Sequence, residues 1–407
     1  MKPGLAGNLT DRLHRVSANT RDLWQCHGRW ITSDILVPFL ATRVGLLLVG
    51  WFSQFLPPDP TFPYWDINTR AWLVTTNRLL DMWARWDTSW YLQIIDTGYH
   101  AASSGIGGQS NLAFFPLFPY LVKSLVLLTP PGWRSQSLTL AAGLLLTNLL
   151  LIGALIVFYR LTLKLTGNQS HARRAVWYLL IFPTSFFLSS FYSEATFLFF
   201  SLAAFYFGEK HSWAASGIMG FLAALTRPVG VLLVMPLGWL FLQEYRGKNR
   251  PSRWSLAWLG LIPAGLLIYL LSVFPLTGDF LAPLKIQVAW SRAFTSPWQT
   301  LFYPAGIDPK IGLFQQITVV FTLVVVVISF RKIPNPIYGL YAGLLILPSL
   351  LSGTLLSFAR FVIVAFPVFL CLGMLGQNKN LDRWLTVIFL MLQALLMAGW
   401  SQFYPVY

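Results

Sequence analysis

The stretch RWDTSWYLQIIDTGY, Arg85 to Tyr99, places two carboxylates, hydroxyls and amides among aromatic rings directly after the first long apolar run of the chain. Asp87 and Tyr91 stand four residues apart, as do Trp86 and Trp90, so a helix would set each pair on one face. A carboxylate withdrawn from water beside flat apolar rings suits proton abstraction from a hydroxyl whose sugar the rings could hold. A second reading stands beside it: Asp87 caps a helix N-terminus, and the tryptophans form a belt at a membrane interface. Asp96 precedes Thr97 and Gly98, where Gly98 has the position of a helix C-cap and Asp96 that of a turn residue.

Other candidates lie far away in sequence. Glu194, in the tripeptide Tyr192 to Glu194, can cap the following helix or line a pocket. Arg227 and Arg360 fall at the ends of apolar runs, where a guanidinium either snorkels to headgroups or grips a phosphate bidentately. Asn111 leads a proline-rich stretch, NLAFFPLFP. Asp279 and Gln287 lie in a polar and aromatic segment with Trp290 and Arg292. Arg43, a few residues into the first apolar run, is expected to snorkel or to pair inside the bundle.

The elements that position these residues are membrane helices. The chain has 407 residues, of which 56% are hydrophobic and only 11% charged, against about 25% charged in ordinary soluble domains. Cutting the chain at Pro, Gly and charge clusters, with Lys and Arg kept on one side, gives an all-α polytopic protein of about eleven transmembrane helices. The expected spans are 35–56, 137–158, 175–191, 194–209, 213–226, 229–243, 255–274, 312–330, 337–353, 357–376 and 384–402. Residues 1–34 form a cytoplasmic tail without a cleavable leader pattern, and 35–407 form a single transmembrane domain. The segment Phe114–Leu128 decides the threading. Its prolines, Lys123 and short length lay it on the outer surface, which keeps the later basic loops inside.

Two outer loops result, 57–136 and 275–311. The first is far longer than a simple connection and carries three helical patterns, Ile67 to Ala84, Trp86 to Ile95 and Phe114 to Leu128, read as interfacial helices. The candidate residues thus gather at the outer face.

Several function classes are excluded. The net charge of +15 reflects cytoplasmic-loop bias and anionic lipid, since the basic residues form no groove lined with stacking aromatics, so nucleic acid is not a partner. Cys26 and Cys371 form neither a disulfide framework nor a metal site. No phosphate-binding glycine loop and no serine elbow is present, so an activated substrate must arrive in the membrane.

The motifs carry a resemblance. Trp86-Asp87 followed by Trp90, Tyr91, Leu92, Ile95 and Gly98-Tyr99 resembles the W-D-x-x-x-(F/Y)-L-x-I-A-x-x-G-Y stretch of the PIG-V family, the second mannosyltransferases of glycosylphosphatidylinositol assembly and their prokaryotic relatives. NLAFFPLFP, Asn111 to Pro119, is similar to its N-x-A-F-F-P-x-F-P. The stretch Phe182 to Phe197 resembles N-P-A-S-x-F-x-x-x-x-Y-S-E-x-x-F, Ala224 to Gly230 is similar to A-x-x-R-x-N-G, and TGDF with Gln287 and Trp290 looks like prokaryotic members. This chain departs from the pattern in its bulky Trp90-Tyr91 pair and in Pro228-Val229 after Arg227.

The resemblance implies a GT-C fold with a catalytic Asp in the first outer loop, carried onto Asp87, and a polyprenyl-phosphate sugar as donor. The reading is an inverting membrane glycosyltransferase that passes a hexose, mannose above all, to a hydroxyl of a lipid-linked or extracytoplasmic acceptor. Arg227 and Arg360 then bind the donor phosphate, while Trp86, Trp90, Tyr91, Asn111, Glu194, Asp279 and Gln287 contact sugar or acceptor. No cofactor is required, and a divalent metal is compatible. The compactness of the chain suggests a prokaryotic plasma membrane, with the endoplasmic reticulum as the eukaryotic equivalent. The competing class is a transporter or flippase of a lipid-linked sugar, disfavoured by the missing repeats and mid-membrane polar residues.

Overall fold

The computed structural model describes residues 28–56, 74–101, 108–247 and 250–406. Helix ends fall where the sequence supplies stop signals. Helix α1, Val37–Phe52, continues a π-helical turn at Ile31–Leu36. The helix containing them begins at Gly28, earlier than the expected boundary at residue 35. Helix α2, Thr88–Thr97, stops at Gly98, whose φ of 82° favours glycine. Helix α3 is Leu117–Leu127. Helix α4, Gln136–Thr166, opens on the Ser135 side chain accepting from Leu138 N–H and closes at Gly167, which is left-handed. Helix α5 follows at Gln169–Ile181, capped by Asn168.

The remaining main helices are α6, Glu194–Glu209; α7, Trp213–Ala224; α8, Val234–Tyr245; α9, Leu261–Thr277; α10, Pro309–Lys332; α11, Ile337–Leu350; α12, Phe358–Val362; α13, Phe366–Leu375; and α14, Lys379–Ser401. All regular structure among the described residues is helical. Among the described residues six helical stretches are long and apolar enough to cross a membrane: Gly28–Phe55, Gln136–Thr166, Pro228–Tyr245, Ser255–Thr277, Pro309–Lys332 and Lys379–Ser401.

This differs from eleven full spans. The 14 residues of α11 rise only about 21 Å against a hydrocarbon thickness of about 30 Å. The expected helix at 357–376 is broken into α12 and α13, with Pro367 at the first turn of the second piece. Helix α3 is likewise too short to cross, as expected for a surface element, and leaves Leu127 and Leu128 exposed. Of the expected helix Ile67 to Ala84, residues 67–73 lie outside the described residues, and the rest holds one turn, Arg78–Asp81. Cys26 lies outside them too; Cys371 is a buried free thiol.

The most consequential break separates α5 from α6. Pro183 disfavours a helical Phe182, which adopts ψ 140° and ends α5. Residues 182–193 then run through a short 3₁₀ turn, Ser185–Leu188, and are buried throughout. Buried non-helical backbone needs partners. Arg43 supplies them: Nη2 donates to Leu180 O at 2.9 Å and Nη1 to Ser185 O at 3.0 Å and Ser189 Oγ at 3.1 Å. Gln393 Nε2 from α14 donates to Leu180 O and Ser185 Oγ. Arg43 therefore neither snorkels nor meets an acid; it caps the C-terminal carbonyls of α5, where a helix end favours a cation. Close packing completes the clamp, since a Cβ on Gly143 of α4 would fall 2.1 Å from the Phe191 ring.

Arg43→Met should lower the unfolding free energy by about 3 kcal/mol, because buried carbonyls lose charged donors. Thermal unfolding of the purified protein in detergent checks it, and a change in melting temperature below one degree would refute the capping role.

Candidate active site

The buried break holds residues 83–91 in place. Tyr192 hydroxyl donates to Arg85 O at 2.8 Å and accepts from Asp87 N–H at 3.0 Å. Phe191 N–H donates to Trp83 O at 3.1 Å, and Tyr91 hydroxyl donates to Ser193 Oγ at 2.9 Å. Behind the loop, Arg85 is paired with Asp81 at 2.8 Å and stacks over Phe403, so these two charges are structural. Asp87 occupies the N-cap position of α2, yet its side chain makes no capping bond. Its carboxylate turns to the Arg360 guanidinium instead, with Nη1 to Oδ2 at 2.6 Å.

Glu194, the first residue of α6, completes a charged array. Arg227 Nη1 lies 2.8 Å from its Oε1 and Arg360 Nε 3.4 Å from the same oxygen. The Asp87 side chain is 19% exposed and that of Glu194 only 2%, so Asp87 is the carboxylate a substrate can reach. These groups face a cavity of about 940 Å³. Trp86, Trp90, Tyr91 and Gln287 also line it, so eight of the residues singled out from the sequence converge there from 86–91, 194, 227, 287 and 360.

Two others do not. Asn111 is buried outside the cavity, where its side chain donates to Gly98 O at 3.0 Å and accepts from His100 N–H at 3.2 Å. It fastens the end of α2 to the segment before α3. Asp279 pairs with Lys285 at 2.6 Å on the second outer loop, away from the cavity lining. Asp96 is exposed on α2.

The structure adds residues that sequence reasoning did not select. Trp290 meets both Trp90 and Phe114 edge to face, with centroids 6.3 and 6.0 Å away, while Trp90 and Phe114 stack at 6.1 Å. Arg292 lines the same cavity and donates to Gln287 Oε1 at 2.5 Å. Burial pulls its guanidinium down to about 10, Arg360 pushing the same way and Asp87 against. The Phe361 ring gathers the guanidinium carbons of Arg227, Arg292 and Arg360 at 5.1, 5.4 and 5.2 Å from its centroid.

Backbone strain collects at these residues. Trp86, Ser291 and Ser357 have φ of 54°, 58° and 67°, and each lies within three residues of Asp87, Arg292 or Arg360. Such conformations cost on the order of 1–3 kcal/mol for non-glycine residues and persist where surrounding structure enforces them, commonly at functional sites. Among the described residues no group of three His, Cys, Asp or Glu side chains is placed to hold a metal ion, and Arg360 bridges Asp87 and Glu194.

Fold and site thus define a polytopic helical membrane protein with a partly open, arginine-rich pocket. Within that class, residues 68–247 match the family model described as Mannosyltransferase (PIG-V), as the motifs implied. The chain is 33% identical over 172 residues to GPI alpha-1,6-mannosyltransferase 2 of Mus musculus and 33% over 173 residues to that of Cricetulus griseus. Each match takes in 42% of this chain and spans 33% of the relative's length. Among solved structures, the chain is similar to the archaeal oligosaccharyltransferase AglB of Archaeoglobus fulgidus, with a TM-score of 0.44 and 13% identity over 91% of this chain and 56% of that one. At that level the likeness assigns no residue.

Replacing Glu194 by Gln should destabilise the protein by on the order of 3 kcal/mol, because Arg227 loses its buried counter-charge. The double variant Glu194→Leu with Arg227→Met should recover most of that loss, and a double-mutant cycle in thermal unfolding measures the coupling. Strictly additive losses would show that the pair is not coupled.

Proposed function

We propose that the chain is an integral-membrane glycosyltransferase of the inverting type, which moves a hexose from a polyprenyl phosphate to a hydroxyl of a lipid-linked or extracytoplasmic acceptor. Mannose is the sugar favoured by the relatives. The observation that carries this reading is the Asp87 carboxylate and three guanidinium groups facing one cavity, whose far wall of Val229, Leu232, Leu344, Leu347 and Pro348 is apolar. A sugar phosphate on a hydrocarbon tail matches that division. Leu347 is itself 42% exposed, so the apolar wall continues onto the lipid-facing surface.

In the proposed reaction Asp87 takes the proton of the acceptor hydroxyl as its oxygen attacks the anomeric carbon. The bond from that carbon to the phosphate oxygen breaks on the opposite face and inverts the configuration. Arg227 and Arg360 meet the charge that develops on the departing phosphate, where fixed positive groups in a water-poor site are worth several kcal/mol. Trp86, Trp90, Phe114 and Trp290 offer flat faces to the sugar, Tyr91 and Gln287 supply polar contacts, and Glu194 holds Arg227 and Arg360 in place. The opposite end of the bundle carries Arg29, Arg160, Lys164, Arg173 and Arg331 near helix ends, which supports a site on the extracytoplasmic side.

Asp87→Asn keeps the size of the side chain and an acceptor for Arg360. It should leave the melting temperature nearly unchanged and reduce transfer from polyprenyl-phosphate mannose by about 10²–10⁴-fold. Activity within threefold of the unsubstituted enzyme would remove Asp87 from the mechanism.

A further inference from the structure

The cavity holds three arginines and two acids, and the pairing is unequal. Arg360 is shared between Asp87 and Glu194, and Arg227 is bound to Glu194. Arg292 takes part in no ion pair among the described residues; it donates instead to the neutral Gln287 side chain. Among the described residues the array therefore carries one uncompensated positive charge, in a site partly closed to water. A surplus buried cation is costly unless an anion arrives to meet it.

The backbone is arranged to keep Arg292 there. The left-handed Ser291 turns the chain, and Arg292 N–H returns to Gln287 O. Beyond it, Ala293 N–H donates to Ser352 O at 2.9 Å and Thr295 N–H to Leu351 O at 3.0 Å. Thr354 Oγ1 donates to Ala305 O at 2.6 Å. The second outer loop is thus laced to the segment that leads into α12, and Arg292 is fixed over the same Phe361 ring as Arg360.

We infer that Arg292 is the group that first captures the donor phosphate, whereas Arg227 and Arg360 act on it only as charge develops at departure. The inference rests on the transferase reading for the nature of the anion. It follows from donor inventory. A guanidinium has five N–H groups in a fixed fork, and a phosphate recruits most readily the fork that no carboxylate holds. Capture by Arg360 would first require its separation from Asp87 and Glu194. Arg292 lines the cavity with Trp290, two residues before it, and shares the Phe361 ring with Arg227 and Arg360, so a phosphate next to a platform-bound sugar would meet it. It is a binding residue, so its loss weakens ground-state association more than turnover.

The test is equilibrium binding of radiolabelled undecaprenyl phosphate, and of undecaprenol as an uncharged control, to the full-length protein in detergent. Arg292→Gln should weaken phosphate binding by about 10–100-fold, the worth of a charged hydrogen-bonding group, and leave undecaprenol binding unchanged. Arg292→Lys, which keeps the charge without the fork, should lose several-fold at unchanged melting temperature. In transfer assays the KM for polyprenyl-phosphate mannose should rise at nearly constant kcat for Arg292→Gln, whereas Arg360→Gln should lower kcat. Undecaprenyl phosphate affinity within twofold of wild type in both Arg292 variants overturns the inference. Failure of the transferase reading would show separately, as wild-type protein that binds undecaprenyl phosphate through Arg292 but transfers no sugar.

Discussion

The site depends on a length of buried, non-helical chain, residues 182–193, kept satisfied in a region where water cannot serve the backbone. Pro183 makes the break unavoidable, and the cost of the freed carbonyls falls on whatever reaches them. Arg43 and Gln393 come from the first and last membrane helices to do so. Those two contacts join the ends of the chain around the break. From its far side Phe191, Tyr192 and Ser193 hold residues 83–91, and Glu194 starts the next helix already facing the pocket. A continuous helix through Pro183 would have carried Tyr192 three turns away from Ile181 along its axis, out of reach of the Asp87 backbone.

The charges of the pocket are arranged by the same economy. Removing five ionised groups from water is tolerable only if most are neutralised locally. Sharing Arg360 between two acids and Glu194 between two arginines does this with few side chains. The Phe361 ring separates three like charges and offers each its negative face. The strained backbone at Trp86, Ser291 and Ser357 belongs to this arrangement, since each positive φ turns the chain just before a charged residue enters the pocket.

Much of this was legible in the sequence, and the remainder fails for identifiable reasons. Helical membrane architecture follows from composition, and the shortness of α3 follows from its brief apolar run and its prolines. Asp87, Glu194, Arg227 and Arg360 stand out because charge near a bilayer demands a cause. Arg292 was seen but not chosen, because its significance lies in having no acid partner among the described residues, a property of pairing and not of type or spacing. Asn111 does not line the cavity. Its amide fits the backbone at Gly98 and His100, and spacing cannot separate a side chain that serves a turn from one that serves a ligand. The break at Pro183 was readable from the rule that the residue before proline leaves the helical region, yet the apolar run through it counted as a span. The expected helix at 357–376 is broken for the same reason, since apolar composition continues where hydrogen bonding does not.

Two acids so close together, joined to one arginine, raise the question of which would act and which would hold. Burial gives the answer that sequence could not. Glu194 is closed in by Arg227 on one side and Arg360 on the other, with almost no surface of its own. Its charge is committed to keeping both arginines in place, and a proton delivered there would release them together. Asp87 has one ion-pair partner and an edge open to the cavity, beside the tryptophan faces. A proton arriving on Asp87 would leave Arg360 still held by Glu194, so the array survives the one event that the proposed reaction requires of it. On that reading Glu194 keeps the phosphate-facing side of the pocket fixed while Asp87 changes charge, a separation of roles set by environment between two carboxylates of nearly the same chemistry.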